Sequence, residues 1–270
     1  MALYDSIGRG YAKTRGADHR IAGRLIALLN LPPDATVLDV GAGTGKYARA
    51  LADHGFKVIA LEPSEVMQSQ ATSHERVHFV PACAESMPLP DSSADGAIVV
   101  LALHHFGDRV KAFGEVMRVV GNGPVVLFTF DPAAFSEFWL ARYFPQLGRG
   151  FTGSVSLSEI ISEIQGLAPQ RKVNTVSFPL PRDLQDKFGA ASWGHPEAYL
   201  DAEVRNGISD FALMPAAEVQ FGLQHLRDDL ASGRWDQAHG SLRTLEAYEV
   251  GYHFIVVEGS SPVEGKSILG

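Results

Sequence analysis

The stretch VLDVGAGTGKYARAL, from Val37 to Leu51, joins an apolar run to an alanine-rich helical pattern through a glycine-rich loop. The apolar run predicts a buried strand, and the pattern after the loop predicts a helix. Glycines alternate in the loop, at positions 41, 43 and 45. Because glycine lets a ligand approach the backbone closely, we expect this loop to cradle a ligand.

Two common nucleotide loops do not fit this stretch. A dinucleotide loop reads G-x-G-x-x-G, but the sixth position here is Lys46. A phosphate-binding P-loop needs serine or threonine after that lysine, but Tyr47 stands there. We therefore expect a ligand without pyrophosphate. The next apolar run, KVIALE, ends in Glu62, whose carboxylate can accept hydrogen bonds from ribose hydroxyls, so a nucleoside is favoured.

Apolar runs alternate with helical patterns along the first half of the chain, which predicts a parallel sheet with helices on both faces. The predicted strands are residues 36–40, 57–61, 77–80, 95–101, 124–130, 171–178 and 251–257. The predicted helices in this part are residues 20–31, 45–54, 64–72, 109–120 and 156–167, with an aromatic helix over residues 133–144. We expect an α/β, Rossmann-like fold with seven strands.

A long segment separates the last two predicted strands. It runs from residue 179 to 250 and carries helical patterns at 218–231 and 235–248. Because so long a connection rarely lacks structure, we predict a helical lid inserted into a core made of residues 1–178 and 251–258. Residues 259–270 are expected to form a flexible tail.

Charge and cysteine content narrow the function classes. The 23 basic and 31 acidic residues give a net charge of −8 without a basic run, which disfavours a nucleic-acid partner. The single cysteine, Cys83, excludes an internal disulfide and a thiolate metal cage, and the histidines show no metal motif. The sequence lacks an apolar run of membrane-spanning length and a secretory signal pattern. We expect a cytoplasmic protein with a small-molecule partner and no metal, and leave a homodimer open.

Four motifs at matching spacing resemble one known family. VLDVGAGTG, VIALEPS, CAESMPLPDSSADGAIVVLALHHF and EVMRVVGNGPVVLFTF are similar to successive motifs of class I S-adenosylmethionine-dependent methyltransferases. The resemblance is to the group similar to ubiquinone and menaquinone methyltransferases, of the methyltransferase domain 11 type, and covers residues 4–132. It implies S-adenosylmethionine as cofactor and S-adenosylhomocysteine as product.

The resemblance also assigns roles. It implies that Asp39 and Gly41 face the methionine amino group, that Glu62 binds both ribose hydroxyls and that Arg15 holds the methionine carboxylate. Cys83 stands where the family often has an acidic residue that contacts adenine. The expected adenine contacts are therefore the neighbouring Ala84 backbone and Glu85. The full set of expected cofactor contacts is Tyr11, Arg15, Asp39, Gly41, Ala42, Gly43, Glu62, Pro63, Cys83, Ala84, Glu85 and Leu101.

The fourth predicted strand ends LALHHF, at the sheet edge where ligands bind in such folds. Since neighbouring side chains in a strand point to opposite faces, we expect one of His104 and His105 to face the cleft as a general base, with a packed histidine as the alternative. The aromatic candidates for the acceptor pocket, which also fit a packed core, are Phe135, Trp139, Tyr143 and Trp193.

We therefore expect methyl transfer to a small lipophilic or aromatic acceptor, with oxygen as the accepting atom. Methylation of a carbon on a quinone- or polyketide-like ring is the alternative within the same class. Binding of the cofactor without catalysis is the alternative from another class. A base is not obligatory, because displacement from a sulfonium depends strongly on how the acceptor is positioned.

Overall fold

A computed structural model describes residues 4–7, 14–147 and 155–260. Its longer strands form one seven-stranded sheet, and two short strands form a ribbon. The strands are β1 (Thr36–Val40), β2 (Lys57–Leu61), β3 (Val77–Val80), β4 (Gly96–Val100), β5 (Val125–Phe130), β6 (Val173–Ser177), β7 (Leu180–Pro181), β8 (Ala247–Tyr248) and β9 (Tyr252–Val257).

Helices surround this sheet. In the first part of the chain they are α1 (Tyr4–Ile7), α2 (His19–Leu29), α3 (Lys46–Asp53), α4 (Glu65–Gln68), α5 (Arg109–Val120), α6 (Pro132–Glu137) and α7 (Leu157–Leu167). Between β7 and β8 they are α8 (Ala202–Asn206), α9 (Ser209–Leu213), α10 (Ala216–Ala231) and α11 (Arg234–His239). Short 3-10 turns cover Leu103–His105, Trp139–Arg142, Pro196–Leu200 and Gly240–Thr244.

The sheet order is β3-β2-β1-β4-β5-β9-β6. Strands β1 to β5 pair in parallel, whereas β9 is antiparallel to both β5 and β6. The direction in which the sheet grows reverses between β1 and β4, which opens a ligand crevice at the carboxyl ends of these strands. The predicted seven-strand α/β fold is confirmed. The antiparallel last strand was not predicted, because a strand buried on both faces is apolar whichever way it runs.

Apolar side chains fill both faces of the sheet. On one face Leu25 of α2 and Leu51 of α3 belong to the same cluster as Trp193 from the segment before β9. On the other face Phe113 of α5 and Ile164 of α7 pack together. Helices therefore cover the sheet on both sides, as the alternation of patterns predicted.

Three predicted helices are shorter than expected. The aromatic helix breaks at Phe138, whose extended backbone (φ −63°, ψ 136°) separates α6 from a 3-10 turn. The helix predicted at residues 64–72 has one turn, in which Ser64 Oγ accepts a hydrogen bond from the Met67 amide. The helix predicted at residues 235–248 ends at His239, because the chain must then join β8.

The segment between β6 and β9 begins and ends in the β7–β8 ribbon. It also pairs with the chain that precedes α2, since Arg15 and Asp186 form an antiparallel bridge and the Lys187 amide donates to Thr14 O at 3.1 Å. No helix within the described ranges is long and apolar enough to cross a membrane. Most of the predicted tail, residues 261–270, lies outside the described residues, while the Ser260 amide donates to Asn122 O.

Candidate active site

A cavity of about 860 Å³ opens at the carboxyl ends of β1, β2 and β4. This volume lies in the range of small-ligand sites. It brings together nearly all of the predicted cofactor and catalytic residues: Arg15, Asp39, Gly41, Ala42, Gly43, Glu62, Pro63, Cys83, Ala84, Glu85, Leu101, His104 and His105. Tyr11 lies outside the described residues.

The glycine loop forms the floor of this cavity. Gly41 has a φ of 72°, and a Cβ added there would lie 2.6 Å from the Ala102 Cβ. Gly43 has a φ of 59°. Both values belong to the left-handed region, which only glycine enters without strain. The amides of Gly41 and Ala42 donate to Leu61 O at 2.9 and 3.0 Å, so the loop is fixed to the end of β2.

Asp39 presents a buried carboxylate to the cavity. Its side chain is 2% exposed, and Oδ2 has no hydrogen-bond partner among the described residues. Burial, helped by the charge of Glu62, raises the pKa of Asp39 to about 7. A buried acid with an unsatisfied oxygen favours a cationic donor from a ligand. An amino group fits this position.

Glu62, directly after β2, is held by two backbone amides. Its Oε2 accepts from Gly43 N and its Oε1 accepts from Ser64 N, each at 2.9 Å. Burial raises the pKa of Glu62, although both hydrogen bonds oppose the shift. Each carboxylate oxygen can accept a further hydrogen bond, so the fixed side chain suits two neighbouring hydroxyls.

The loop after β3 also contributes to the cavity wall. Cys83 and Ala84 of this loop line the cavity, as does Pro63 after β2, and the Cys83 side chain is exposed. Glu85 Oε1 accepts from Gly107 N at 2.7 Å and from Asp108 N at 3.3 Å. The Glu85 carboxylate therefore ties this loop to the loop after β4.

Two cations, Arg15 and Lys46, line the main cavity and share one buried acid. Asp186 Oδ1 accepts from Arg15 Nε at 2.5 Å, and Lys46 Nζ donates to Oδ1 and Oδ2 at 2.8 and 2.7 Å. The Tyr47 hydroxyl donates to Oδ2 at 3.1 Å. Although burial opposes it, the two cations lower the pKa of Asp186. Burial and the charge of Arg15 lower the pKa of Lys46.

The two histidines lie in the 3-10 turn after β4. Leu101, with a φ of 51°, enters the left-handed region and redirects the chain into this turn. Because the turn is not extended, strand alternation does not apply, and both His104 and His105 line the cavity. The expectation that only one of the pair faces the cleft was wrong for this reason.

The environments of the two rings differ. His105 Nε2 lies 3.0 Å from the Tyr4 hydroxyl, and burial and the charge of Arg15 lower the pKa of His105 to about 4. Burial, together with His105 and Arg15, lowers the pKa of His104 well below its ordinary value. Both imidazoles are therefore neutral at physiological pH. His104 alone of the pair also lines a second cavity.

This side cavity, of about 40 Å³, shares Tyr4, Arg15, Leu101 and His104 with the main cavity. Its walls are largely aromatic and come from β5, α6, the segment after β7 and β9: Phe130, Phe135, Phe188 and Tyr252. Ser209 and Asp210 of α9 add polar groups. The side cavity thus adjoins the main cavity at these shared residues and is lined mainly by aromatic side chains.

Of the predicted acceptor residues, the structure brings only Phe135 to this cavity. Trp139 and Trp193 lie in the core, where Trp139 Nε1 donates to Trp193 O and Trp193 Nε1 donates to Leu180 O, each at 2.9 Å. Tyr143 donates to Asp229 Oδ2 at 2.8 Å and lines a separate surface groove. Because the helix ends before Phe138, the later aromatic residues no longer share the face of Phe135.

Several site residues were missed by the sequence reasoning. Lys46 served only to exclude other loops, although its charge next to a ligand cradle was a usable signal. Asp186, Phe188 and Tyr252 lie far along the chain without a local motif, so only the fold reveals their position. No cluster of three histidine, cysteine or acidic side chains within the described ranges is placed to hold a metal ion.

Comparison with known proteins gives the family. Residues 38–128 match the family described as Methyltransferase domain. A solved structure of a proposed methyltransferase from an antibiotic biosynthesis pathway of Anabaena variabilis ATCC 29413 is 44% identical, with a TM-score of 0.87, over 90% of this chain and 98% of that one. The chain belongs to the S-adenosylmethionine-dependent methyltransferases.

Two curated relatives carry names with different acceptors. A malonyl-[acyl-carrier protein] O-methyltransferase of Pseudescherichia vulneris is 34% identical over 47% of this chain, and the match spans about half (51%) of that protein. A demethylmenaquinone methyltransferase of Thermus thermophilus is 27% identical over 66% of this chain and 83% of that protein. The activity of neither relative transfers directly to this chain.

Proposed function

We propose that this protein transfers a methyl group from S-adenosylmethionine to an oxygen atom of a small lipophilic or aromatic acceptor. The observation that carries the proposal is the aromatic side cavity of about 40 Å³, which adjoins the main cavity at His104 and would take one end of an acceptor that otherwise lies in the main cavity. The name of the O-methyltransferase relative supports oxygen as the accepting atom.

The main cavity fits the cofactor by the chemistry of its residues. The Asp39 carboxylate, with one unsatisfied oxygen, would bind the amino group, and Glu62 would accept from the ribose hydroxyls. At Gly41 a Cβ would lie 2.6 Å from the Ala102 Cβ, so the loop keeps this conformation beside the cavity only with glycine. When bound, the cofactor supplies an electrophilic methyl group on a positively charged sulfur.

The protein's own contribution is positioning and proton acceptance. The aromatic walls would contact one end of the acceptor and keep water away from it, which would fix the accepting atom beside the donor. His104 lies at the junction of the two cavities and is neutral, so it can take up the proton that an acceptor hydroxyl loses. Aromatic faces also favour a cationic sulfur nearby.

The proposal includes a lid. Residues 179–250 would close over a core made of residues 1–178 and 251–258. In support, Phe188, Ser209, Asp210 and Leu213 of this segment line the two cavities. The acceptor would then lie between the strand ends and the segment, where water is excluded.

Carbon methylation of a quinone- or polyketide-like ring is the second candidate. The relative named demethylmenaquinone methyltransferase favours it, and the same aromatic walls would hold such a ring. Cofactor binding without transfer is the candidate from another class.

The test is a transfer assay with methyl-labelled S-adenosylmethionine and a panel of phenols, carboxylic acids and quinols, with product structures assigned by NMR. We expect label on oxygen of a lipophilic acceptor, and a drop of about 10²–10⁴-fold in kcat for His104→Ala. Label on a ring carbon would favour the second candidate. Tight cofactor binding with no transfer to any class would contradict an enzymatic role.

A further inference from the structure

Asp186 joins three parts of the chain at the edge of the cofactor cavity. It lies in the segment after β7, yet its carboxylate binds Lys46 at the start of α3 and Arg15 in the chain before α2. Arg15 also donates from Nη1 to Gly207 O at 2.8 Å. Arg15 and Lys46 line the cavity, whereas Asp186 is 0% exposed and lies behind them. One buried carboxylate therefore fixes the orientation of two cationic side chains that line the cavity.

Electrostatics explain why this acid is needed. Two cations in a buried site repel each other and lose hydration, and the lowered pKa of Lys46 reflects both costs. Asp186 opposes the shift by direct ion pairs. Without this carboxylate, Lys46 would give up its proton more readily, and Arg15 would lose its anchor.

The position of Asp39 indicates which ligand group Arg15 and Lys46 would bind. In an α-amino acid the ammonium and carboxylate groups share one carbon, so a site for one lies within a few ångströms of a site for the other. Asp39, near the end of β1, suits the ammonium, and Lys46 begins α3, the helix that follows the same strand. Asp39 and Lys46 both line the main cavity, and, although burial lowers the pKa of Lys46, the charge of Asp39 acts to raise it.

We propose that Asp186 is a positioning residue that orients Arg15 and Lys46 toward the carboxylate of the cofactor's methionine moiety. The inserted segment is then part of the cofactor site as well as of the acceptor site. This inference rests on the proposed cofactor, and it adds that the lid and the cofactor's carboxylate are coupled through one buried acid.

The test compares S-adenosylmethionine with its decarboxylated form, which keeps the ammonium, ribose and adenine. Affinities are measured by calorimetry for the wild type, Asp186→Asn and Asp39→Asn. We expect Asp186→Asn to weaken binding of S-adenosylmethionine about tenfold or more and binding of the decarboxylated form less than about twofold. Asp39→Asn should weaken both. The matched control is Asp236→Asn, which breaks an exposed ion pair with Arg243 in the same segment.

Equal loss of both ligands in folded Asp186→Asn would show a merely structural role, and unchanged binding of both would equally overturn the proposal. If Asp186→Asn does not fold, Lys46→Met is measured in its place, because it leaves the Arg15–Asp186 ion pair intact. It must show the same selective loss. Failure of the wild type to bind S-adenosylmethionine would overturn the proposed function itself, whereas binding without this selectivity overturns only the role of Asp186.

Discussion

The main cavity, proposed to bind the cofactor (the cofactor end), and the side cavity, proposed to take part of the acceptor (the acceptor end), are built in different ways. The cofactor end carries acidic side chains that come from neighbouring stretches of chain, with Asp39 before the glycine loop and Glu62 after β2. The acceptor end is aromatic, and its walls come from four separate segments, among them Phe135 of α6 and Tyr252 of β9. The cofactor end is held by backbone hydrogen bonds and the acceptor end by side-chain packing. Substitutions at the two ends should therefore have different effects: those at the cofactor end should weaken cofactor binding, and those at the acceptor end should lower turnover.

The largest effect is expected for Gly41→Ala. A side chain there would need a left-handed backbone and would meet the Ala102 Cβ at 2.6 Å. We expect a loss of about 2–4 kcal/mol in the free energy of unfolding, together with loss of cofactor binding. Urea denaturation and calorimetry measure the two effects. Gly114→Ala is the control, because a Cβ at this position in α5 meets nothing within 4 Å, and alanine favours a helix. Equal behaviour of both variants would contradict the assigned role of the loop.

Asp39→Asn should weaken cofactor binding without lowering the stability of the protein. Loss of the charge is expected to weaken binding of S-adenosylhomocysteine about 10- to 100-fold. The ligand-free variant should be at least as stable as the wild type at pH 8, because a buried, unsatisfied charge is removed. Calorimetry and thermal denaturation test this pair of outcomes. A variant that binds normally, or that loses stability, would show that Asp39 has a structural role only.

Phe135→Leu should affect the acceptor end alone. We expect kcat/KM for the acceptor to fall about tenfold, while the Kd of the cofactor changes less than about twofold. Phe144→Leu is the matched control: Phe144 is 0% exposed, and it lines neither cavity. It should lower stability without changing the kinetics. Steady-state kinetics of both variants would decide, and a similar kinetic loss in both would remove the basis for placing the acceptor in the side cavity.

The smallest expected effect is on pH dependence. The pKa of Asp39 is raised from 3.8 to about 7, so between these values the folded state keeps a proton that the unfolded state has lost. The free energy of unfolding should therefore fall as pH rises through this window, and Asp39→Asn should not show this contribution. Cofactor affinity should rise as pH increases toward about 8, because the ionised carboxylate binds the ammonium. Titrations in buffers of different ionisation enthalpy would detect the proton released on binding, and no release at about pH 6, below the raised pKa, would contradict the assignment.

The cofactor end could be predicted closely from the sequence because its residues lie in local motifs. The strands at residues 36–40, 57–61 and 77–80 have the predicted bounds. Gly41 and Gly43, in the loop after the first of these strands, adopt the left-handed backbone that favours glycine. The acceptor end could not be predicted to the same extent. Periodicity made Trp139 and Phe135 equal candidates, but the break at Phe138 sends one to the core and the other to the cavity.

Long-range electrostatics were also beyond the sequence. Lys46 and Asp186 are 140 residues apart in the sequence, and only the folded arrangement of the segment between β6 and β9 brings them to 2.7 Å. The direction of β9 in the sheet could not be predicted from the sequence either, since its apolar residues suit both orientations. Sequence patterns report which side chains are buried, whereas contacts between distant segments depend on the complete fold.

We propose that the strand-end cavity binds S-adenosylmethionine through the glycine loop and its acids. The most direct test is a calorimetric titration with S-adenosylhomocysteine of three proteins: the wild type, Glu62→Ala and Glu65→Ala. Glu65 is an exposed acid at the same cavity and serves as the control. We predict that binding weakens by about 1.5 kcal/mol or more for Glu62→Ala and stays near the wild-type value for Glu65→Ala. No binding by the wild type, or equal binding by all three proteins, would contradict the account.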